Sequence, residues 1–216
     1  CCQLPPDLDR VTETLINLGK SPNLGAVLIV SLGCEGTDVN RLYREIAAAG
    51  KPVEIVRIQE VGGTSKAIAA GMDAALRLVH SISDLQRTPC DIADITMSIK
   101  CGGSDATSGM ASNCVIGYIA DKLVDLGATV VFGETTEFIG AEHILARRAV
   151  NEEVANDIYR IVFDMERRAE SLGCDMRKGQ PTPGNIEGGL TTIEEKSLGA
   201  IAKSGTRKIQ GVLEYP

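Results

Sequence analysis

Tryptophan is absent from this 216-residue sequence, and three phenylalanines and four tyrosines are its only aromatic residues. Aromatic side chains usually contribute strongly to the energetics of a core. With so few of them, the core must be built mainly from isoleucine, leucine, valine, alanine and methionine. No apolar run approaches the roughly 18 residues of a membrane-spanning helix. We therefore expect no association with a membrane.

Positive charge is also in short supply, since 22 lysines and arginines face 29 aspartates and glutamates, for a net charge of −7. Nucleic-acid binding depends on basic side chains that neutralise phosphates, so the composition disfavours that class of partner. The seven cysteines show neither CxxC pairs nor zinc-knuckle spacing. Their odd number does not indicate a dense disulfide framework. These features predict free thiols in a reducing cytoplasm.

Short apolar, β-rich runs alternate with helical periodicity in the first two thirds of the chain. The predicted strands are Ala26 to Leu32, Val53 to Ile58, Ile92 to Ile99 and Ala128 to Phe132. Helical patterns cover Asp7 to Leu18, a stripe after Thr64 and Ser65 that can cap it, and a segment stopped by Gly127. This alternation predicts an α/β fold. We expect a mainly parallel sheet with flanking helices, in a Rossmann-like three-layer arrangement.

The pattern changes near residue 150. A long amphipathic helix is expected between Asn151 as its cap and Gly173 as its stop, followed by an aperiodic stretch from Lys178 to Gly189. Thr192 to Glu195 has the spacing of a capping box before a short helix, and "KIQGVLEY" is expected as a closing strand. We thus predict a sheet domain over residues 1–150. Residues 151–216 form a helical, loop-rich C-terminal extension packed on it.

Polar clusters follow all four predicted strands. They read "GCEGTD", "VGGTSK", "KCGGSD" and "GETTE", beginning at Gly33, Val61, Lys100 and Gly133. Ligands of open parallel sheets bind outside the carboxyl ends of the strands. The clusters are therefore expected to converge on one sheet edge.

Each cluster also has a purely structural interpretation. Cys34 and Cys101 are either small buried residues in tight turns or thiols beside an exposed backbone, because glycines follow both. Glu134 and Glu137 are either solvated loop charges or part of a site. His143, six residues after Glu137, is a candidate for acid–base work or ligation.

Longer motifs are similar to a known family. "GCEG", "KCGGSDATSGMASN", "GATVVFGETTEFIGAEH" and "PTPGNIEGGLTTIEEKSLGAIAKSG" resemble the altronate/galactarate dehydratases, which are sugar-acid hydro-lyases. The resemblance covers almost the whole chain. The C-terminal motifs are most similar to those of the sulfolactate sulfo-lyase branch. It implies iron-dependent elimination of water, or of sulfite in that branch, from a 2-hydroxy acid to give a 2-keto acid. A metal on the carboxylate and hydroxyl oxygens fits such chemistry.

The resemblance also implies that this chain is a segment. "CCQLPPDLD" looks like a family motif cut at its start. We expect as partners a small hydroxy-acid substrate, an N-terminal small domain or subunit and a C-terminal remainder of the enzyme. The sequence also allows a homo-oligomer. A non-catalytic binding or assembly module remains the alternative from another functional class.

Site residues follow from the same motifs. Cys2, Cys34 and Cys101 are the expected ligands of Fe²⁺ or an iron–sulfur cluster, with Glu134 and Glu137 as alternatives. The expected catalytic residues are Asp105, His143 and Lys196, where Lys196 supplies a countercharge or a base. The expected substrate-binding residues are Gly102, Gly103, Ser104, Asn113, Glu134 and Glu137. Ser104 and Asp105 are also expected near a helix start, where they either bind ligand or only cap the helix.

Overall fold

The computed structural model describes residues 7–213, which fall into two compact units. The first unit ends at Thr88 and the second begins at Pro89. The chain therefore divides between these residues, whereas the sequence predicted a boundary at residue 150. No helix in residues 7–213 is both long and apolar enough to cross a membrane.

The first unit is a small α/β unit with a two-stranded parallel sheet. Its elements are α1 (Asp7–Lys20), β1 (Val27–Ser31), α2 (Val39–Ala48), β2 (Val53–Arg57) and α3 (Thr64–Ile82). The strands pair in register from Val27 opposite Val53 to Ser31 opposite Arg57. Ile16 of α1 packs with Leu42 and Ile46 of α2 against the sheet residues. The alternation of apolar runs and helical stripes correctly predicted α1, β1, β2 and α3, whereas α2 was not predicted.

The second unit contains another two-stranded parallel sheet and most of the helices. Its elements are β3 (Thr96–Ile99), α4 (Ser112–Asp125), β4 (Thr129–Phe132), α5 (Glu142–Ala146), α6 (Glu152–Ser171), α7 (Met176–Gly179), α8 (Pro183–Glu187) and α9 (Ile193–Ile201). Three short 3-10 helices cover Ile92–Asp94, Thr135–Phe138 and Ala202–Ser204. Strands β3 and β4 pair from Thr96 opposite Thr129 to Ile99 opposite Phe132.

One aliphatic core holds the second unit together. Its buried residues come from the segment after β4 and from α5, α6 and α9, and include Ile139, Leu145, Val162 and Ile201. Phe138 is the only aromatic among the buried hydrophobic residues of the described chain. An aliphatic core was the prediction from composition. The core joins residues on both sides of position 150, so the predicted extension is part of this unit.

The local signals of α6 and α9 are confirmed. The Asn151 side chain accepts a hydrogen bond from the Val154 backbone N–H at 2.9 Å, and α6 stops before Gly173, whose φ is +77°. The Thr192 hydroxyl accepts from the Glu195 N–H at 3.1 Å and so caps α9. These contacts satisfy N–H groups that have no partner inside the helix.

Other expectations need correction. The α/β class and the parallel pairing of the strands are confirmed. The described strands form two separate sheets, so the expected single sheet of a Rossmann-like three-layer fold is not confirmed. In each sheet, one crossover helix connects the two strands. Apolar periodicity does not specify which strands pair. Gly63, and neither Thr64 nor Ser65, caps α3.

The C-terminal part also differs from expectation. The aperiodic stretch from Lys178 to Gly189 contains α8 and the end of α7. Within the described part of "KIQGVLEY", Ile209 forms an isolated bridge with Ala149 in place of a strand.

Helix α4 packs against the segment after α9 with almost no space between the backbones. A Cβ atom on Gly117 would lie 2.1 Å from the Ala202 carbonyl oxygen. Three residues before α4, a Cβ on Gly109 would lie 2.7 Å from the Cα atom of Gly199 in α9. The Asn113 amide donates to the Gly199 carbonyl at 2.9 Å. Glycine is thus required where these two segments approach one another.

A buried ion pair connects two other parts of the second unit. Glu137 is 4% exposed and Lys203 is 2% exposed, and Lys203 Nζ donates to Glu137 Oε2. Removing one partner of such a pair leaves a buried charge without compensation, which is strongly destabilising. The pair therefore fixes the 3-10 helix after β4 against the segment after α9.

We expect Gly117→Ala to destabilise the protein by about 1–3 kcal/mol, because the added methyl group clashes with a backbone carbonyl that cannot move freely. Gly71→Ala in α3 is the matched control, since no atom lies within 4 Å of the added Cβ. That change should stabilise by about 0.5–1 kcal/mol. Urea denaturation followed by circular dichroism measures both, and equal stability of the two variants would contradict the close packing.

We expect Lys203→Met to destabilise the protein by about 3–5 kcal/mol, because the Glu137 carboxylate stays buried without its partner. The control is Arg167→Met, which breaks the solvent-exposed pair of Arg167 with Asp164 on α6. Exposed pairs contribute little, so this variant should unfold close to the wild type. Thermal denaturation compares the two, and a wild-type melting temperature for Lys203→Met would refute the structural role of the pair.

Candidate active site

Two neighbouring strands of the second unit deliver three possible metal ligands to one place. Cys101 follows β3 by two residues, Glu134 follows β4 by two residues, and Glu137 lies in the next 3-10 helix. The Cys101 Sγ atom and one carboxylate oxygen of each glutamate lie within 4.8 Å of one another. Because β3 and β4 are parallel, their carboxyl ends share an edge. For these two strands, the predicted convergence of polar residues is observed.

Glu134 adopts a backbone conformation that residues with side chains rarely take. Its φ is +82°, and it is the only non-glycine residue of the described chain with a positive φ. Such a conformation costs on the order of 1–3 kcal/mol and clusters at functional sites. Its Oε2 atom is buried without a hydrogen bond from the described residues, although Lys100 Nζ approaches it at 3.3 Å. This oxygen retains capacity to bind a cation.

The Cys101 thiol is held in its protonated form by its surroundings. It is half-buried and donates to the Gly102 carbonyl at 3.0 Å. Burial, and next the hydrogen bond and negative charge of Glu137, raise the pKa of the Cys101 thiol. A bound cation reverses this balance, because metal-ligating thiols are deprotonated.

The carboxylates of the cluster also line a small cavity of about 50 Å³. Its lining residues are Glu134, Thr136, Glu137, Gln180, Ile193 and Lys196. A more open groove of about 330 Å³ lies beside it, and Gln180 and Ile193 line both spaces. The cavity is large enough for a few water molecules or one small polar group, and the groove leaves room for a longer molecule.

Lys196 brings a positive charge to this cavity. Its Nζ atom donates to Gln180 Oε1 at 2.8 Å and to Asn185 Oδ1 at 3.0 Å. Among residues 7–213, no carboxylate forms an ion pair with it. Of the three predicted catalytic residues, Lys196 is the one that lines the cavity.

The other two predicted catalytic residues occupy different positions. Asp105 is exposed, and its Oδ1 atom accepts hydrogen bonds from Thr107 and Ser108. The Thr107 hydroxyl and backbone N–H lower the pKa of this carboxyl group more than Ser108 does. His143 is exposed on α5 and is not among the residues that line the cavity. Asp105 therefore organises a turn.

The predicted substrate-binding residues differ in their surroundings. Gly102 and Gly103 are exposed, and a Cβ on either would meet no atom within 4 Å. Ser104 Oγ lies 3.9 Å from Cys101 Sγ, and Asn113 is engaged with the Gly199 carbonyl. Ser104 and Asp105 were expected at or near a helix start, but α4 begins only at Ser112, so neither residue caps it.

Of the three predicted cysteine ligands, Cys101 belongs to the cluster. Cys34 is exposed in the loop after β1, in the first unit, and Cys2 lies outside the described residues. In the Cys34 loop, Glu35 accepts from the Gly33 N–H at 2.7 Å and from the Ser31 hydroxyl. These bonds, with Ser31 contributing most, lower the pKa of Glu35 to about 2. The loop is therefore organised around an ionised carboxylate.

Sequence reasoning missed Thr136, Gln180, Asn185 and Lys203. Gln180 and Asn185 lie in the aperiodic stretch after α6, where a long irregular segment was itself a signal of function. Lys203 interrupts the apolar run "LGAIAKSG". A charge in such a run is a signal for a buried, paired side chain.

Comparison with known proteins connects this geometry to a family. Residues 92–216 match the model described as D-galactarate/altronate dehydratase, C-terminal. Residues 1–83 match the model described as D-galactarate dehydratase/altronate hydrolase, second domain. The two matches meet near the division between the compact units.

Individual proteins show the same relationship. The chain is 43% identical over 218 residues to (2R)-sulfolactate sulfo-lyase subunit beta of Chromohalobacter salexigens, covering 98% of this chain and 54% of that protein. It is 38% identical to galactarate dehydratase (L-threo-forming) of Escherichia coli, over 93% of this chain and 40% of that protein. It is 32% identical to altronate dehydratase of Bacillus subtilis, over 100% of this chain and 43% of that protein.

The chain thus spans about half the length of the relatives it matches. One family model covers more than half of the chain, and it includes the cluster and the cavity. All three relatives are named as lyases or dehydratases. The motifs, the architecture and these matches agree: the chain belongs to the D-galactarate/altronate dehydratase family.

Proposed function

We propose that this chain supplies the catalytic site of a lyase that eliminates water from a sugar acid or another 2-hydroxy acid with a second hydroxyl on carbon 3. The α-proton and the hydroxyl of carbon 3 leave as water, and the enol that remains becomes the 2-keto acid. The observation that carries the proposal is that Glu134 and Glu137 of the possible metal cluster line the same cavity as the Lys196 ammonium. A carboxylate substrate needs such a cationic group, and an elimination needs stabilisation of the negative charge that develops on its oxygens.

The donor set fits iron. Cys101, Glu134 and Glu137 offer one sulfur and two carboxylate oxygens within 4.8 Å. The buried Glu134 Oε2 has no well-aligned hydrogen bond within the described chain, and the exposed Lys100 ammonium approaches it at 3.3 Å. Iron–sulfur clusters are held by several thiolates, whereas this group contains one. The residues therefore favour a single Fe²⁺ ion over a cluster. When bound, the ion supplies positive charge for the substrate's carboxylate and hydroxyl oxygens.

The remaining residues of the cavity bind and orient the substrate. Lys196 Nζ uses two of its three hydrogens on Gln180 and Asn185, so the third, which has no acceptor in the described part of the chain, can donate to a substrate carboxylate. The hydrogen bond fixes the acid so that the proton on its α-carbon is held in one place. Gly102 and Gly103 leave the approach beside Cys101 open. The groove beside the cavity accommodates the rest of the molecule.

A second candidate is the elimination of sulfite from sulfolactate. The observation in its favour is the 43% identity to a protein named as a (2R)-sulfolactate sulfo-lyase subunit. Both reactions start from the acidity of a proton next to a carboxylate, so the same cationic groups serve both. They differ in the leaving group, and the released product distinguishes them.

We expect Cys101→Ser to reduce bound iron by more than about tenfold in the full-length protein purified without oxygen, because a hydroxyl is a much weaker ligand than a thiolate. Glu134→Gln should have the same effect. Cys114→Ser is the matched control, since Cys114 is an exposed cysteine on α4. Elemental analysis measures iron and acid-labile sulfide. Iron content equal to wild type in Cys101→Ser would remove this ligand assignment.

The same experiment tests the two predicted ligands in the rest of the chain. Cys2→Ser and Cys34→Ser should each leave the iron content unchanged if Cys101, Glu134 and Glu137 are the only protein ligands. A stoichiometric amount of acid-labile sulfide would contradict a single ion.

We expect the iron-loaded protein to convert at least one of galactarate, altronate and (2R)-sulfolactate into a 2-keto acid. A hydrazone assay measures the keto acid and a thiol-exchange assay measures sulfite. Lys196→Met should lower kcat/KM by about 10- to 100-fold, since a charge-assisted hydrogen bond to the substrate is lost. The exposed Lys122→Met on α4 is the control. Absence of turnover with all three acids would contradict the proposed function.

A further inference from the structure

The environment of Lys196 is unusual for a partly buried lysine. Lysines that leave water usually pair with a carboxylate. Here both protein acceptors are side-chain amides, Gln180 Oε1 at 2.8 Å and Asn185 Oδ1 at 3.0 Å. Amides satisfy hydrogen bonds without cancelling charge. The ammonium is therefore oriented by the protein while its full positive charge is kept.

The orientation of the Asn185 amide is fixed by its other contacts. Its nitrogen donates to the Ser104 carbonyl at 2.9 Å, and its oxygen accepts from the Thr182 hydroxyl at 2.9 Å. Because a carbonyl faces the nitrogen and a hydroxyl and an ammonium face the oxygen, only one orientation of the amide satisfies all three. Asn185 is thus unable to rotate without losing several hydrogen bonds.

The same residue connects the lysine to the loop that carries Cys101. The Ser104 carbonyl lies three residues after Cys101, and the Ala106 N–H donates to the Gly188 carbonyl at 2.9 Å. A Cβ atom on Gly188 would lie 2.9 Å from the Asp105 Cβ atom. The segment around α8 therefore packs directly on this loop. The position of the ammonium relative to Cys101 is set by these contacts.

We infer that Gln180 and Asn185 are positioning residues that determine specificity: among residues 7–213, these two neutral amides are the acceptors that hold Lys196, so that its charge stays available for one anionic group of the ligand. That this anionic group is the carboxylate of a 2-hydroxy acid rests on the proposed function. A carboxylate at position 180 or 185 would form an ion pair with the Lys196 ammonium and neutralise its charge. The cavity would then lose its preference for an anion.

The test replaces each amide by the acid of the same shape. Gln180→Glu and Asn185→Asp each place a carboxylate beside Lys196, and only the second also removes the hydrogen bond to Ser104. We expect both to raise KM for the acid that is turned over by about 10- to 100-fold, with kcat changed by less than about threefold. Calorimetric titration with galactarate and with (2R)-sulfolactate should show the same loss of affinity.

The control is Asn151→Asp, which makes the same change at the cap of α6. As the cap, the Asn151 side chain accepts a hydrogen bond from the Val154 N–H, and an aspartate caps a helix equally well. KM should stay at the wild-type value. Each amide variant is also combined with Lys196→Met. Because the amides act through the lysine, the double variants should show no further rise in KM.

Three outcomes are distinguishable. An unchanged KM and affinity in folded Gln180→Glu, or a KM rise that persists at full size beside Lys196→Met, overturns the inference. Binding of an acid by the wild type without turnover contradicts the proposed function, and the loss of that binding in both amide variants still supports the inference. Failure of the wild type to bind either titrated acid and to turn over any of the three acids overturns both.

Discussion

The buried pair of Glu137 and Lys203 is the contact on which the geometry of the site depends. It joins the turn after β4 to the segment after α9, two parts of the chain separated by more than sixty residues. Without the ammonium, the charge of a glutamate that is 4% exposed would be buried beside Glu134 and Cys101 without compensation. Lys203 thus compensates the charge of Glu137 beside a second carboxylate, Glu134, in a partly buried site. A cation can then be bound by ligand atoms that are already in position.

Close backbone packing gives this arrangement its rigidity. Gly109 and Gly117 let α4 touch the segment that carries both Lys196 and Lys203, and Asn113 closes the contact with a hydrogen bond to Gly199. The loop before α4 is in turn packed on the segment around α8. Three stretches of sequence that are far apart are therefore joined in one framework, which holds the loop that carries Cys101 and the two lysines in fixed relative positions.

Local signals in the sequence were sufficient for what depends on near neighbours. The strands, the cap at Asn151 and the stop at Gly173 follow from residues within a few positions of each other. Cys101, Glu134 and Glu137 were recognised as strand-end residues, because parallel neighbours share an edge. Strand partnership and the two separate sheets were not predictable, since a short apolar run pairs equally well with any other. Lys203 was missed because its role depends on Glu137, 66 residues away in the sequence. Asn185 was missed because it holds Lys196 in an orientation that its own bond to the distant Ser104 fixes.

The protonated state of Cys101 has a consequence for chemical reactivity. Only thiolates attack alkylating reagents, and burial beside Glu137 raises the pKa of this thiol. Cys34, Cys90, Cys114 and Cys174 are exposed. In metal-free protein an alkylating reagent should therefore modify these four before Cys101, and the order in which the thiols are labelled becomes a direct report on whether the pocket around Cys101 is intact.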